Sequence, residues 1–365
     1  MMELRKRPSF RVAIFGLGAA AERIHLPACV SLPCVEVTSA CEPDAMRREQ
    51  IGHRFGVPSL YPDAPSLLTE ERPDVVVIGT PPDSHRDLCL LALDHGAHVL
   101  CEKPFVASVA EADEVIAAAD EKGLLVRVNN QYRYMAMYRV PQARLAAGEF
   151  GRLYFVQSWQ QMFHPPTMER NWRAGLVQSV LYEFGTHALD LVCFFFGALP
   201  LSVNAHVSHP REIKADVVAQ VTLRFPDGGL ATLAFNRISH APMRYLEMRL
   251  DCEEASVRIS YGGVARFGLE WSRELRRPAA RVSLVRGGEA RVESGGRSRV
   301  IAREPKDAVA SATALNLQNL LEALSRGDRS NDRARFSRDL LRIVFAAYES
   351  ASSGETVWLA PRGTR

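Results

Sequence analysis

Phe10-Arg11-Val12-Ala13-Ile14-Phe15-Gly16-Leu17-Gly18-Ala19-Ala20-Ala21 is the stretch that decides the fold. A strand-like apolar run ends in G-x-G-x-x-A and leads directly into an alanine-rich helical stretch. In such a pattern Gly16 permits the tight turn, Gly18 lets the backbone approach a pyrophosphate, and Ala21 allows close helix–strand packing. The phosphate charge is then held at the helix N-terminus. Gly16, Leu17, Gly18, Ala19 and Ala21 are therefore candidate cofactor-binding residues. Glu42 ends the next strand-like run about 20 residues on, where a carboxylate accepts the adenosine ribose hydroxyls and repels a 2′-phosphate. NAD is expected in preference to NADP, although Arg47 and Arg48 stand close enough to relax that choice. The bland alternative is a strand–turn–helix with no ligand, because glycine turns after strands are common.

Working outward, short β-branched runs alternate with helical stretches up to Val128. The expected strands are Phe10–Phe15, Val35–Cys41, Asp74–Thr80, Ala97–Cys101 and Leu124–Val128. Between them Ala19–Leu32, Ala45–Phe55, Ser84–His95 and Val109–Glu121 carry apolar residues at three-and-four spacing. That alternation predicts an α/β, doubly wound parallel sheet, with near-continuous apolar strands covered on both faces. After residue 130 the runs lengthen and alternate: Leu153–Gln160, Val203–His209, Val217–Phe225, Leu230–Asn236, Tyr245–Cys252 and Ser256–Tyr261. They predict an α+β domain with a large, mostly antiparallel sheet, on which Thr186–Phe196 and Ala314–Leu324 pack as helices. The expected domains are 1–129 and 130–365. The late helix Ser337–Ser350 and the Thr356–Leu359 strand close the chain, with room to pack back near the first domain.

Composition narrows the function classes. Over 365 residues, 45 basic side chains face 42 acidic ones, a net charge of +3. That balance argues against a dedicated nucleic-acid binder. The seven cysteines have no C-x-x-C spacing, so reduced thiols in a cytoplasm are expected rather than a disulfide framework or a metal site. The apolar run Leu191–Val203 is too short for a spanning helix and is interrupted by Pro200. Arg5-Lys6-Arg7 ahead of Val12–Ala21 imitates a secretory signal, but the ordered glycines fit the dinucleotide loop instead.

Three further motifs carry chemistry. Gly79-Thr80-Pro81-Pro82-Asp83-Ser84-His85 follows an apolar strand, where ligands of doubly wound sheets bind. Thr80, Pro81 and His85 are candidate cofactor contacts, and the bland reading makes Ser84 a helix N-cap. His98-Val99-Leu100-Cys101-Glu102-Lys103-Pro104 ends another strand, making Glu102 and Lys103 candidates. Only five lysines occur in this arginine-dominated chain, and a strand-end lysine suggests a releasable proton. Tyr182-Glu183-Phe184-Gly185-Thr186-His187 sets a carboxylate and an imidazole four apart, on one face if the turn at Gly185 is helical. Such a histidine suits proton abstraction from a hydroxyl, although a buried structural histidine is the blander reading. No third ligand with metal spacing accompanies the pair.

Taken in this order, the stretches resemble the glucose-fructose oxidoreductase / inositol dehydrogenase / rhizopine catabolism family. The resemblance runs through His25-Leu26-Pro27-Ala28, Glu42-Pro43-Asp44, Thr80-Pro81-Pro82 and Glu102-Lys103-Pro104 to the ending from Phe345 to Trp358. It implies an NAD(P)-dependent oxidoreductase moving hydride between nicotinamide and a secondary alcohol or ketone of a sugar, cyclitol or nucleotide-linked sugar. Lys103 then matches the lysine at the reacting hydroxyl, with a cis bond to Pro104, and His187 the acid/base histidine. Glu183 falls where the family commonly carries an aspartate, an extra methylene that puts its role in question. Trp172 and Arg173 match a segment reaching toward cofactor and substrate. Tyr132, Arg173 and Tyr182 join Lys103 and His187 as candidate substrate contacts. A homodimer or homotetramer is implied.

Two other classes stay open: a lyase, epimerase or glycosidase using NAD transiently, and a non-catalytic dinucleotide-binding protein. The arginine-crowded stretch from Arg273 to Arg303 reads as solvated strand faces, or as a site for an anionic substrate group.

Overall fold

The computed structural model describes residues 9–210, 214–240, 244–262, 264–272, 277–285, 287–305 and 307–359, with side chains left aside at 171 and 264–285. The backbone divides into two compact units, Met1–Tyr134 with Val309–Arg342, and Met135–Ala308 with Ile343–Arg365.

In the first unit the apolar runs become six parallel strands: β1 (Phe10–Phe15), β2 (Val35–Cys41), β3 (Ser59–Tyr61), β4 (Val75–Ile78), β5 (His98–Cys101) and β6 (Val126–Val128). Their order is β3-β2-β1-β4-β5-β6, the doubly wound order with its switch point between β1 and β4. Val75–Ile78 is wholly buried, as expected of a central strand covered on both faces. The covering helices are α1 (Leu26–Val30), α2 (Ala45–Phe55), α3 (Ala64–Glu71), α4 (His85–Asp94) and α5 (Val109–Glu121). Asp44, Asp63 and Ser108 cap α2, α3 and α5 by accepting backbone N–H groups. Ser84 does not cap α4. Its hydroxyl instead donates to the Pro81 carbonyl at 2.8 Å and shares a hydrogen bond with the Thr80 hydroxyl at 2.7 Å. The long helix expected over Ala19–Leu32 is a π-turn, Ala21–His25, running into the short α1.

The second unit adds α6 (Ala136–Ala146), β7 (Leu153–Gln161), α7 (Thr186–Phe196), β8 (Ser202–Ser208), β9 (Val218–Arg224), β10 (Leu230–Asn236), β11 (Leu246–Cys252) and β12 (Ser256–Tyr261). Further on come β13 (Val264–Ser272), β14 (Arg277–Val285), β15 (Gly288–Ser294), β16 (Arg297–Glu304), α8 (Ala308–Ser325), α9 (Asp332–Ser353) and β17 (Val357–Trp358). Nine strands form one sheet in the order β16-β15-β12-β11-β7-β10-β9-β8-β17, antiparallel except for the β7–β10 pair. One face is apolar and buried (Val221, Leu223, Leu233, Phe235, Met248, Leu250, Ile259), as the alternation predicts. β13 and β14 pair as a separate two-stranded antiparallel sheet, and five of the nine arginine side chains between Arg273 and Arg303 lie outside the described residues.

One expectation is overturned. Ala314–Leu324, expected on the antiparallel sheet, belongs to the first unit and buries its apolar stripe there. Leu317, Leu320, Leu321 and Ala323 belong to the same buried cluster as Val12, Ile14, Val75, Val77 and Leu100 of the parallel sheet. A helical stripe records only that one face is apolar, and the parallel sheet had a face to cover. The expected 129/130 division accordingly becomes two units, the first completed by residues 309–342.

Candidate active site

The parallel ladder runs one residue past β1, β2, β4, β5 and β6, and several candidate residues stand on or beside that last row. Glu42 donates its N–H to Tyr61, Gly16 to Cys41, Gly79 to Phe15, Glu102 to Ile78 and Asn129 to Cys101, at 2.7–3.1 Å. Five neighbouring strands therefore bring the glycine loop, the β2 carboxylate, the Thr80 turn and the Glu102-Lys103-Pro104 turn to one edge of the first unit. This is the crevice side of a doubly wound sheet.

Gly16 has φ +80°, and a Cβ there would stand 2.8 Å from Thr80 Cγ2, so both backbone and neighbour demand glycine. A Cβ at Gly18 would meet nothing within 4 Å. That open space beside the backbone is what a pyrophosphate needs. Glu42 is fixed from two sides: Leu17 N–H donates to Oε2 at 2.9 Å and Asp44 N–H to Oε1 at 3.2 Å. Arg47 is engaged with the Leu17 carbonyl at 2.5 Å and with Glu22 at 3.4 Å. Arg48 donates to the Glu42 carbonyl at 2.7 Å. His85 is fully buried. Its ring nitrogens face the carbonyls of Thr80 at 2.9 Å and of Pro104 and Phe105, both at 3.0 Å. It ties the Thr80 turn to the Lys103 turn. The Lys103–Pro104 bond is cis, as expected.

Glu102 lies inside rather than on the surface. Oε1 meets His25 Nε2 at 2.9 Å and accepts from Asn129 Nδ2 at 2.6 Å, while Oε2 accepts the Lys103 N–H at 3.0 Å. Burial alone would push its carboxyl up. His25, the Asn129 amide and the Lys103 charge outweigh that and hold it at about 2. Asn129 Nδ2 also donates to Thr313 Oγ1 at 3.1 Å, and Asn316 Nδ2 donates to Asn129 Oδ1 at 3.2 Å. The α8 helix thus braces the lysine turn through three amide and hydroxyl groups. Tyr132, in the turn after β6, is buried in the same unit.

In the second unit, Glu183 lies in a π-turn, Val180–Phe184, that passes through Gly185 into α7, so the turn is helical as the four-residue spacing requires. His187 is in the first turn of α7 and buried. Glu183 Oε1 accepts Arg173 Nε at 3.2 Å, and the Arg173 guanidinium lies 4.4 Å over the Trp172 ring. Tyr182 is buried and stacks on Phe345. Trp172, Arg173, Tyr182, Glu183 and His187 therefore share one unit, while Lys103 and every residue of the dinucleotide loop share the other.

The match to known proteins follows the same division. Residues 10–130 match the model of the oxidoreductase family with NAD-binding Rossmann fold, and residues 138–258 that of the GFO/IDH/MocA C-terminal domain. The chain belongs to the Gfo/Idh/MocA oxidoreductase family. D-apiose dehydrogenase from Paraburkholderia graminis is 26% identical over 96% of this chain and 90% of its own. The scyllo-inositol 2-dehydrogenase (NADP(+)) IolW of Bacillus subtilis is 22% identical, covering 97% of each chain. The structure of an oxidoreductase from Agrobacterium radiobacter in complex with NAD+, L-tartaric acid and magnesium superposes with a TM-score of 0.80. It is 20% identical, over 96% of this chain and 98% of that one. As a Gfo/Idh/MocA oxidoreductase the chain uses a nicotinamide dinucleotide.

Several residues of this oxidoreductase escaped the sequence reading. His25 was noted only as part of a motif, and Asn129, Thr313 and Asn316 not at all. Their partners are 27 to 187 residues away in the chain, and only the fold brings them together. Asp216 and Arg237, at the start of the Val180–Phe184 π-turn, carry no local pattern, and Tyr348 stands in the Phe345–Trp358 ending with nothing local to single it out.

Proposed function

We propose that the protein is an NAD-preferring dehydrogenase of a secondary alcohol on a sugar, cyclitol or related polyol. The observation that carries this reading is the row of strand ends where an ordered Lys103 turn adjoins a dinucleotide loop with room for a pyrophosphate. Relatives named for D-apiose, scyllo-inositol and D-glucoside oxidation support the substrate class. Bound NAD supplies the hydride acceptor. Lys103 holds the reacting hydroxyl and stabilises the developing alkoxide by its charge. His187 takes the hydroxyl proton, with Glu183 and Arg173 ordering the polar surroundings on its side. Tyr132 and Tyr182 are further substrate contacts in this reading, and Thr80, Pro81 and Trp172 further cofactor contacts. Glu42 sets the preference for NAD, because the nearest cations, Arg47 and Arg48, are already engaged by carbonyls and Glu22.

A homodimer or homotetramer belongs to the same proposal, supported by Trp159 and Leu230, exposed on one face of the nine-stranded sheet. So does a cytoplasmic setting, supported by seven free thiols. Burial pushes Cys29 and Cys41 up to about 12, which keeps them inert.

The test is a screen of sugars, cyclitols and their nucleotide-linked forms, following reduced-nicotinamide absorbance with NAD and NADP separately. With the best substrate, Lys103→Ala and His187→Ala are expected to lower kcat by about 10²–10⁴-fold each while leaving NAD binding within a few-fold of the parent. Unchanged turnover in either variant removes that residue from the mechanism. Turnover without any accumulation of NADH would identify transient use of the cofactor instead.

A further inference from the structure

The π-turn that carries Glu183 is a costly piece of backbone, and its first N–H groups are met from outside. Asp216, wholly buried, accepts the Ser179 N–H at 2.7 Å and the Val180 N–H at 2.8 Å on Oδ1. Its Oδ2 accepts the Tyr348 hydroxyl at 2.6 Å, and that same hydroxyl oxygen accepts the Leu181 N–H at 3.0 Å. Three consecutive N–H groups at the head of the turn thus end on one carboxylate–phenol pair, contributed by the segment before β9 and by α9. Burial, followed by the Asp216 charge and hydrogen bond, pushes the phenol far up, so it stays a proton donor to Asp216.

At the other end the Gly185 N–H closes the wide ring onto the Val180 carbonyl at 2.7 Å. A Cβ at Gly185 would come within 3.0 Å of that carbonyl oxygen and 3.1 Å of the Phe235 ring. Arg237 adds a donor to Ser179 Oγ and pairs with Glu169.

A π-turn holds one residue more than the α-turn it replaces, and such turns are rare and frequently found at functional sites. Relaxation to α register would turn everything after it by about 100° per residue, moving His187 relative to Glu183. We propose that the Asp216–Tyr348 pair is a positioning clamp. It selects the π register of Val180–Phe184 and thereby sets where His187 and Glu183 stand. This rests on the reading of His187 as the group that takes the hydroxyl proton.

Tyr348→Phe keeps the ring and removes only the hydroxyl that bridges Asp216 and Leu181. Its control is Ser350→Ala on the same helix. That hydroxyl accepts the Ala205 N–H at 3.0 Å and donates to the Glu355 carbonyl at 2.6 Å, away from the π-turn. Both variants are expected to lower Tm. Only Tyr348→Phe is expected to lower kcat, between about 10- and 100-fold, with NAD affinity within twofold of the parent. Amide exchange over residues 179–187 should quicken in Tyr348→Phe and not in Ser350→Ala. Where Tyr348→Phe does not fold, Asp216→Asn, which keeps an acceptor for Ser179 and Val180, carries the same comparison. A folded Tyr348→Phe with parental kcat and exchange overturns the clamp. If His187→Ala itself retains turnover, the underlying reading of the site fails instead, whatever Tyr348→Phe does.

Discussion

Glu102 and Asp216 solve the same problem in different currencies of interaction. Each is a buried carboxylate that orders the backbone beside a candidate catalytic side chain, Lys103 in one unit and His187 in the other. Glu102 leans on charge: an imidazole at 2.9 Å, an amide at 2.6 Å and the field of its neighbouring lysine. Asp216 leans on neutral donors, two backbone N–H groups and a phenol. Burial opposes the ionised Glu102 and its neighbours favour it, so what it contributes is lost once the carboxyl takes a proton. The first unit should therefore be the acid-sensitive half of this enzyme.

The most damaging way to break the contrast is Glu102→Ala. It strands the fully buried His25, whose Nδ1 has no hydrogen-bond partner among the described residues. Removing one member of a buried pair costs about 3–5 kcal/mol. Denaturant unfolding should show that loss, centred on the first unit.

Next comes acid. Glu102 is held at about 2 in the fold against 4.5 when unconstrained. The stability it contributes is present above pH 4.5 and disappears as pH falls toward 2, roughly 3 kcal/mol by linkage. His98, at the other end of β5, adds an earlier step. Burial, then the nearby Arg329 charge, lowers it from 6.5 to about 4, so its neutral form is favoured and stability falls as pH drops from 6.5 to 4. All four tryptophans (159, 172, 271 and 358) lie in the second unit. On acidification, amide exchange in residues 98–129 should rise before tryptophan fluorescence changes; simultaneous loss would erase the distinction. The smallest effect is Thr313→Ala, which deletes one neutral hydrogen bond to Asn129. About 1 kcal/mol is expected, with turnover lowered less than twofold, because Asn129 still reaches Glu102.

How much of this could be read from the chain depends on the range of the interaction. The β1–glycine loop, Ala45–Phe55, Val109–Glu121, Leu230–Asn236 and Ser256–Tyr261 stand in the structure with the bounds their patterns suggest. Each is a local matter of periodicity, caps and turns. β3 and α3 were passed over because three residues hold too little alternation to register, and Ala64–Glu71 has only a weak apolar face. The Ala21–His25 π-turn reads as α-helix, since one extra residue in a turn leaves the three-and-four spacing almost intact, whereas at Val180–Phe184 the sequence offers only the condition of a helical turn at Gly185. Among the candidate site residues, Gly16, Glu42, Lys103 and Glu183 are visible because motifs mark them. Asn129, Asp216 and Tyr348 were not, because nothing local distinguishes a polar residue that will be buried from one that will be solvated.

The assignment of Leu317, Leu320 and Leu321 to the parallel sheet's core bears on how the protein is made. When a ribosome has delivered residues 1–134, every strand of that sheet exists, yet one greasy flank still lacks its cover. The missing helix emerges only after eight of the nine strands of the second sheet have been synthesised. Until then the nascent first half carries an open apolar side, the kind of surface that chaperones grip. A recombinant nucleotide-binding fragment cut at residue 134 would keep that exposed side permanently.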